Sequence, residues 1–233
     1  MANVLRVTDL TKTYKDFTAL DSVSFEIHNG ITALLGNNGA GKTTLINSIV
    51  GLIEPDKGRV ELNGIDNSKS CKEFRKHIGF LPQECGYYDN FTAIQFLRYI
   101  GAIKNVPSKE CGFIIEKYMT ALRLWEHRNK KICHYSGGMK HRLGIVQSLL
   151  NAPKLLILDE PTTGLDYKER EAFSNIIKEY SKENIVIIST HIFSDVENIA
   201  ENVIILNKGK LVCNDKMDKE ATIRERYVQY FQD

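Results

Sequence analysis

The feature that most restricts this chain is the stretch Gly36-Asn37-Asn38-Gly39-Ala40-Gly41-Lys42-Thr43-Thr44, which follows an apolar run at Ile31 to Leu35 and precedes a helical run from Leu45. A strand that empties into a glycine loop and restarts as a helix is a backbone built for phosphate. The glycines let amide groups converge on phosphate oxygens, Lys42 reaches the β and γ phosphates, and the hydroxyl of Thr43 suits Mg2+. The helix that begins there points the positive end of its dipole at the same anion.

A second segment, Leu155-Leu156-Ile157-Leu158-Asp159-Glu160-Pro161, runs four apolar residues into two carboxylates. An unbroken apolar run reads as a parallel strand buried on both faces. Ligands of open α/β sheets bind at the carboxyl ends of such strands, so Asp159 and Glu160 are expected beside the phosphate loop. The plainer reading is a core strand followed by a capping carboxylate. Two adjacent carboxylates repel unless a cation lies near them, and Mg2+ at Asp159 would relieve that.

Between these segments lies Tyr135-Ser136-Gly137-Gly138-Met139-Lys140-His141-Arg142. Ser136 reads as a helix N-cap, and the glycine pair leaves backbone amides uncovered for a second anion. With this segment the chain, from about Leu5 to Val212, resembles the nucleotide-binding ATPase subunit of an ATP-binding cassette (ABC) transporter. The spelling departs from the commonest one at Tyr135 and Met139, where leucine and glutamine are usual. The Tyr-Ser-Gly-Gly-Met form, with Thr163-Gly164-Leu165-Asp166, looks more like the branch exporting drugs, peptide antibiotics or lipids than like importers.

That resemblance implies an α/β fold of the P-loop NTPase (RecA-like) class: a mainly parallel core sheet, an antiparallel β subdomain and an inserted helical subdomain. It also implies roles. Tyr14 would stack on adenine, the alternative being a sheet residue on a solvated face. Gly36, Asn37, Asn38, Gly39, Ala40, Gly41, Lys42, Thr43 and Thr44 would hold the phosphates. Gln83 would sense Mg2+ and the γ-phosphate, or else merely end a strand. Ser136, Gly137 and Gly138 would contact ATP held by an opposite subunit. Asp159 would hold Mg2+, Glu160 would orient or deprotonate water, and Asp166 would lie in the loop that crosses the dimer interface. His191 would contact the γ-phosphate, its alternative being a surface histidine at a helix start.

The chemistry asked of such residues is positioning and charge neutralisation, because charge spreads over the transferred oxygens while water attacks in line. Lys42, Mg2+ and His191 meet the charge, and Glu160 meets the water. The implied partners are an integral membrane permease and a second ATPase subunit, a homodimer being the simplest pairing. A soluble ABC ATPase without transport, as in iron-sulfur assembly, and a regulatory ATP-binding module with negligible turnover are the competing readings. Glu160 and His191 together speak against the second.

The 233 residues suit one α/β unit, with an ATP-binding core over 1–83 and 152–215, a helical portion over 84–151 and a tail over 216–233. No apolar stretch reaches the roughly 18 residues needed to span a bilayer, and the first 14 residues hold no signal-peptide core. The expected location is cytoplasmic, at the inner face of the membrane. Five scattered cysteines of odd number fit free thiols. Lys and Arg number 31 against 29 Asp and Glu, a balance that offers no footprint for nucleic acid. The local cluster Lys140-His141-Arg142 reads as a solvated helix face, here near the expected ATP-binding surface.

Strands are expected at Val4 to Leu10, Val23 to Ile27 and Arg59 to Leu62 in the antiparallel layer. Ile31 to Leu35, Ile78 to Leu81, Leu155 to Leu158, Ile185 to Ser189 and Val203 to Leu206 are expected in the core sheet. Helical patterning covers Ala93 to Lys104, Cys111 to Leu124, Gly137 to Asn151, Lys168 to Tyr180 and Phe193 to Ala200. The loop Tyr87-Tyr88-Asp89-Asn90-Phe91 concentrates aromatic rings that either anchor a membrane partner or pack as core.

Overall fold

The computed structural model describes residues 2–217 and, beyond them, residues 225, 227, 228 and 230; most of the tail expected over 216–233 lies outside the described residues. The chain begins with β1 (Val4–Tyr14), β2 (Phe17–His28) and β3 (Gly30–Leu35), followed by α1 (Lys42–Ile49), β4 (Lys57–Leu62), β5 (Ile65–Asp66), α2 (Cys71–Lys76) and β6 (Ile78–Leu81). Next come α3 (Ala93–Ile103), α4 (Ser108–Ala121) and α5 (Gly137–Leu149). The chain then returns through β7 (Leu155–Asp159), α6 (Tyr167–Ser181), β8 (Ile185–Ser189), β9 (Asn202–Asn207) and β10 (Lys210–Lys216).

Two sheets result. One is antiparallel, in the order β2-β1-β4-β5; the other has six strands in the order β10-β9-β3-β8-β7-β6, all parallel except β10. The central strands are mostly apolar because both faces are covered, with Thr32, Asp159 and Ser189 the buried polar residues among them. Leu34, Leu155, Ile157, Ile185, Ile187 and Leu206 face the antiparallel layer and α1, where they pack with Leu5, Leu20 and Leu45. Ala33, Leu35, Leu156, Leu158, Val186 and Ile188 face the other way and pack with Phe96, Leu143, Leu149 and Phe173 of the helices. Alternate residues of one strand thus enter two different cores.

The inserted helices start where local chemistry dictates. Thr92 caps α3 in a reciprocal box with Gln95, and Asp166 caps α6 in the same way with Glu169. Asn63 and Gly64 both take positive φ, 52° and 80°, which is the two-residue turn that joins β4 to β5. Among the described residues no helix is long and apolar enough to cross a membrane.

Three expectations need correction. The helix expected over Phe193 to Ala200 is a single 3-10 turn at Phe193–Asp195 followed by turns. Bonds from Val196 and Glu197 both return to the Phe193 carbonyl, a mixed pattern that does not propagate; Ile192, Val196, Asn198 and Ile199 are poor helix formers. The helix expected over Cys111 to Leu124 starts three residues earlier, behind Pro107, and ends before Arg123, whose φ is 56°. Finally, Lys140-His141-Arg142 is not a solvated face: Arg142 is buried and the other two are half-buried.

Candidate active site

The phosphate loop leaves β3 at Leu35 and enters α1 at Lys42. Gly41 closes it at φ 104°, and a Cβ there would sit 2.5 Å from the Ala19 carbonyl oxygen, so only glycine lets the loop lie against β2. Lys42 folds back over its own loop, donating to the carbonyls of Gly36 at 2.6 Å and Asn37 at 3.3 Å. Burial pulls its pKa below the usual lysine value, and the carboxylates of Glu160 and Asp159 push it back up. Those three charges therefore share one neighbourhood. Asn37, Asn38 and Gly39 are exposed, whereas Ala40 is buried.

The parallel registers bring the other pieces to the same edge. Asp159 pairs with Ser189 across β7 and β8, and Leu34 of β3 pairs with the same Ser189. Asp159 is buried, which pushes its carboxyl above the usual value, and the neighbouring Glu160 adds to that rise. Glu160 is a left-handed residue, at φ 51°, a conformation that costs a non-glycine roughly 1–2 kcal/mol. Its side chain is held on both oxygens. Oε2 accepts from the Thr190 hydroxyl at 3.2 Å, while Oε1 accepts from the His191 backbone N–H at 3.1 Å and faces its Nδ1 at 2.7 Å. The carboxylate can only accept, so Nδ1 carries the proton.

A cavity of about 270 Å3 joins the phosphate loop to the segment after β8, with Gly36, Asn37, Asn38, Thr190 and His191 in its wall. Tyr227 also lines it. Its hydroxyl donates to Asn37 Oδ1 at 2.5 Å, and its ring meets Phe193 edge-on at 4.9 Å. No sequence pattern pointed to that residue, 190 positions from its partner.

The structure does not bring every expected residue into that cavity. Tyr14 stands at the tip of the β1-β2 hairpin opposite Phe17, with Lys12 Nζ 5.7 Å from its ring centre; both aromatics are exposed. Thr18 and Ala19, just beyond, touch the turn at Gly209 that backs the loop. Gln83 follows β6, whose Leu81 is paired with Leu158, and is exposed in a separate hollow of about 430 Å3 that it shares with Gly137 and His141.

Ser136 caps α5, its hydroxyl accepting from the Met139 N–H at 3.2 Å. The amides of Gly137 and Gly138 then remain among the unpaired donors of a helix start. Gly138 also abuts the loop before α6: a Cβ there would lie 2.7 Å from the Gly164 carbonyl oxygen. Tyr135 takes the place of a leucine without disturbance, being buried with its hydroxyl on the His127 carbonyl at 2.9 Å. Burial pushes that phenol up to about 12. The aromatic loop divides. Tyr87 points inward, its hydroxyl on the Lys140 carbonyl at 2.6 Å, while Tyr88 is exposed in a cluster with Phe91 and Tyr99.

A strand, a phosphate loop, a carboxylate pair and a capped glycine turn suit the binding of a nucleoside triphosphate. Residues 20–163 match the family model described as ABC transporter. The chain belongs to that family. It is 38% identical over 209 residues to the uncharacterized ABC transporter ATP-binding protein YxlF of Bacillus subtilis (strain 168), covering 89% of this chain and 69% of the relative. It is 36% identical over 233 residues to the bacitracin transport ATP-binding protein BcrA of Bacillus licheniformis, covering 99% and 75%. A solved structure titled as the ATP binding subunit of an ABC transporter superposes with a TM-score of 0.90 at 28% identity, over 97% of this chain and 98% of that one. This ABC protein is therefore an ATP-binding subunit with ATPase activity, and its fold is the one the resemblance implied.

Proposed function

We propose that this chain powers a separate membrane permease, in the direction of export, by closing as a head-to-tail dimer around two ATP molecules and reopening after hydrolysis. The observation that carries the reading is the double clamp on Glu160, whose carboxylate is fixed by Thr190 and His191 at the edge of the phosphate-loop cavity. A carboxylate held there is oriented to take a proton from water aimed at the γ-phosphate, and a general base of this kind is worth roughly 10²–10⁴-fold in rate.

Each further role follows from placement. Lys42, drawn over the loop carbonyls of Gly36 and Asn37, exchanges those partners for β- and γ-phosphate oxygens, recovering a full charge partner. Gly36 to Thr44 supply the backbone amides of the cradle. Mg2+ takes one or two carboxylates and completes its shell with phosphate and water, so Thr43 and Asp159 would hold it, with Gln83 in reach on closure. The buried, proton-prone carboxyl of Asp159 fits that duty, since a cation would keep it ionised. When bound, Mg2+ neutralises charge developing on the phosphate oxygens. His191 would release Glu160 and donate towards the γ-phosphate. Tyr14 would stack on adenine.

Closure is a matter of differential contact. The uncovered amides at Ser136, Gly137 and Gly138 would meet ATP bound on the partner, with Asp166 beside them. ATP would thus favour the closed dimer, and loss of the γ-phosphate would remove that preference. The interface is self-complementary, as a two-fold dimer requires. The exposed rings of Tyr88 and Tyr99, backed by the half-buried Phe91, would seat the permease near Gln83, on the cytoplasmic face of the membrane. The relative named for bacitracin transport supports a cargo of the drug, peptide-antibiotic or lipid kind.

The test is to isolate the protein from solubilised membranes and measure Mg-ATPase activity in the same fraction, with Lys42→Ala as the blank. Activity travelling with a polytopic membrane protein is the expected result. Activity confined to the soluble fraction would contradict the transport role.

A further inference from the structure

Three consecutive residues of α5 grip three different parts of the site. The Lys140 carbonyl accepts from Tyr87, on the loop that follows Gln83. His141 Nε2 lies 2.8 Å from the carbonyl oxygen of Pro161, the residue after Glu160. Arg142 pairs with Glu169 at 2.8 Å, and Glu169 in turn closes the cap on Asp166. The outer two contacts tie helix α5 to its neighbours. The middle one reaches the residue next to the hydrolytic carboxylate.

We propose that His141 is a positioning residue for Glu160, coupling the helix that carries Ser136, Gly137 and Gly138 to the general base through the Pro161 carbonyl. The inference rests on Glu160 acting as proposed above.

A carbonyl oxygen can only accept, so Nε2 carries the proton and the ring donates. Burial lowers the basicity of the ring, which keeps it neutral at neutral pH, and the Pro161 carbonyl partly offsets that. The donor adds a tie from the helical side beside Glu160, whose other ties come from the sheet, the residues after it and its own turn. The Glu160 backbone N–H donates to the Ser189 carbonyl at 2.8 Å. On the other side the Glu160 carbonyl accepts from the Thr163 N–H at 3.3 Å, Pro161 has no N–H of its own, and the Pro161 carbonyl is the handle that α5 holds. Glu160 sits in the left-handed region between these ties, a conformation that persists only when its surroundings impose it. Movement of α5 on dimer closure would shift Pro161, and with it the carboxylate. Residues at the helix start that meets the partner's ATP would then set the geometry of the base in their own subunit.

The test uses the full chain with His141→Leu, which removes the donor, and His141→Gln, which keeps an N–H at similar reach, beside Glu160→Gln. Turnover, nucleotide Kd from a fluorescent ATP analogue, and Tm are measured for each. We expect His141→Leu to lower kcat roughly tenfold, the loss of one oriented hydrogen bond, with Kd and Tm unchanged, and His141→Gln to recover to within about threefold. An unchanged kcat in His141→Leu, an equal loss in Kd, or a His141→Gln variant as slow as His141→Leu would overturn the inference. If His141→Leu melts early, His141→Asn replaces it, because Asn is polar but too short to reach the carbonyl; equal rates for Gln and Asn would overturn the inference as well. Full turnover in Glu160→Gln would instead overturn the role of Glu160 itself.

Discussion

His191 meets Glu160 twice, through its backbone N–H at 3.1 Å and through Nδ1 at 2.7 Å, both on the same carboxylate oxygen. The histidine is exposed and the carboxylate is not, so Glu160 is the fixed member of the pair and His191 the movable one. An exposed contact of this kind adds little stability. His191→Ala should therefore leave Tm within about 1–2 °C, in the range of surface substitutions, while lowering kcat by roughly 10²-fold through loss of the ring donor, the backbone N–H bond to Glu160 being retained. Calorimetry and steady-state turnover check the two halves. A fall in Tm with turnover intact would contradict it.

Asp159 should make the protein less stable than it could be. Its folded-state pKa lies above the unfolded value, so the folded chain loses stability as pH rises from the usual carboxylate range through the raised value. Above the raised value the ionised, buried carboxylate is a net cost. Asp159→Asn should raise the Tm of the nucleotide-free chain at pH 7, by roughly 2–4 °C for each kcal/mol relieved, with the gain shrinking towards pH 4. Turnover should be lost. A lower Tm for Asp159→Asn at pH 7, read by thermal melting across pH, would contradict the assignment.

Among the described residues, the Arg142–Glu169 pair is an ionic tie between the helical portion and the core, with side chains 9% and 15% exposed. Removing one member strands a buried charge, which costs roughly 3–5 kcal/mol. Arg142 also donates to the Leu122 carbonyl at 2.8 Å, so Arg142→Met should melt well below wild type. Adding Glu169→Gln removes the stranded charge while keeping an acceptor for the Asp166 cap, and the double variant should recover part of the loss. A double variant less stable than Arg142→Met would show that the charge is not what destabilises.

Tyr88→Ala should separate docking from catalysis. Its ring is 52% exposed and lies against Phe91, Phe96 and Tyr99. Turnover of the isolated subunit should be unchanged and co-purification with the permease lost or strongly reduced. Retained co-purification, measured by affinity capture from membranes, would rule out the Tyr88 surface as the anchor.

The parallel strands were legible almost to the residue because burial on both faces writes an unbroken apolar run: Ile78–Leu81 and Ile185–Ser189 are as read, and Leu155 to Leu158 gains only Asp159. The edge strand β10 was not legible. Only Cys213 of its seven residues is buried, so Lys210–Lys216 carries no alternation to detect. Helix α2 escaped for a related reason, since six residues with a single buried side chain, Phe74, fall below any helical period. The phosphate loop and the Asp159-Glu160 pair could be read because each is contiguous. His141 and Tyr227 could not, because their partners, Pro161 and Asn37, are brought to them only by the fold.

The most direct test of the dimer account is light scattering of Glu160→Gln with saturating ATP and Mg2+, beside Lys42→Ala under the same conditions. If ATP bridges two subunits and Glu160 removes its γ-phosphate, Glu160→Gln should run as a stable dimer and Lys42→Ala as a monomer. A Glu160→Gln protein that binds ATP and stays monomeric would contradict the account.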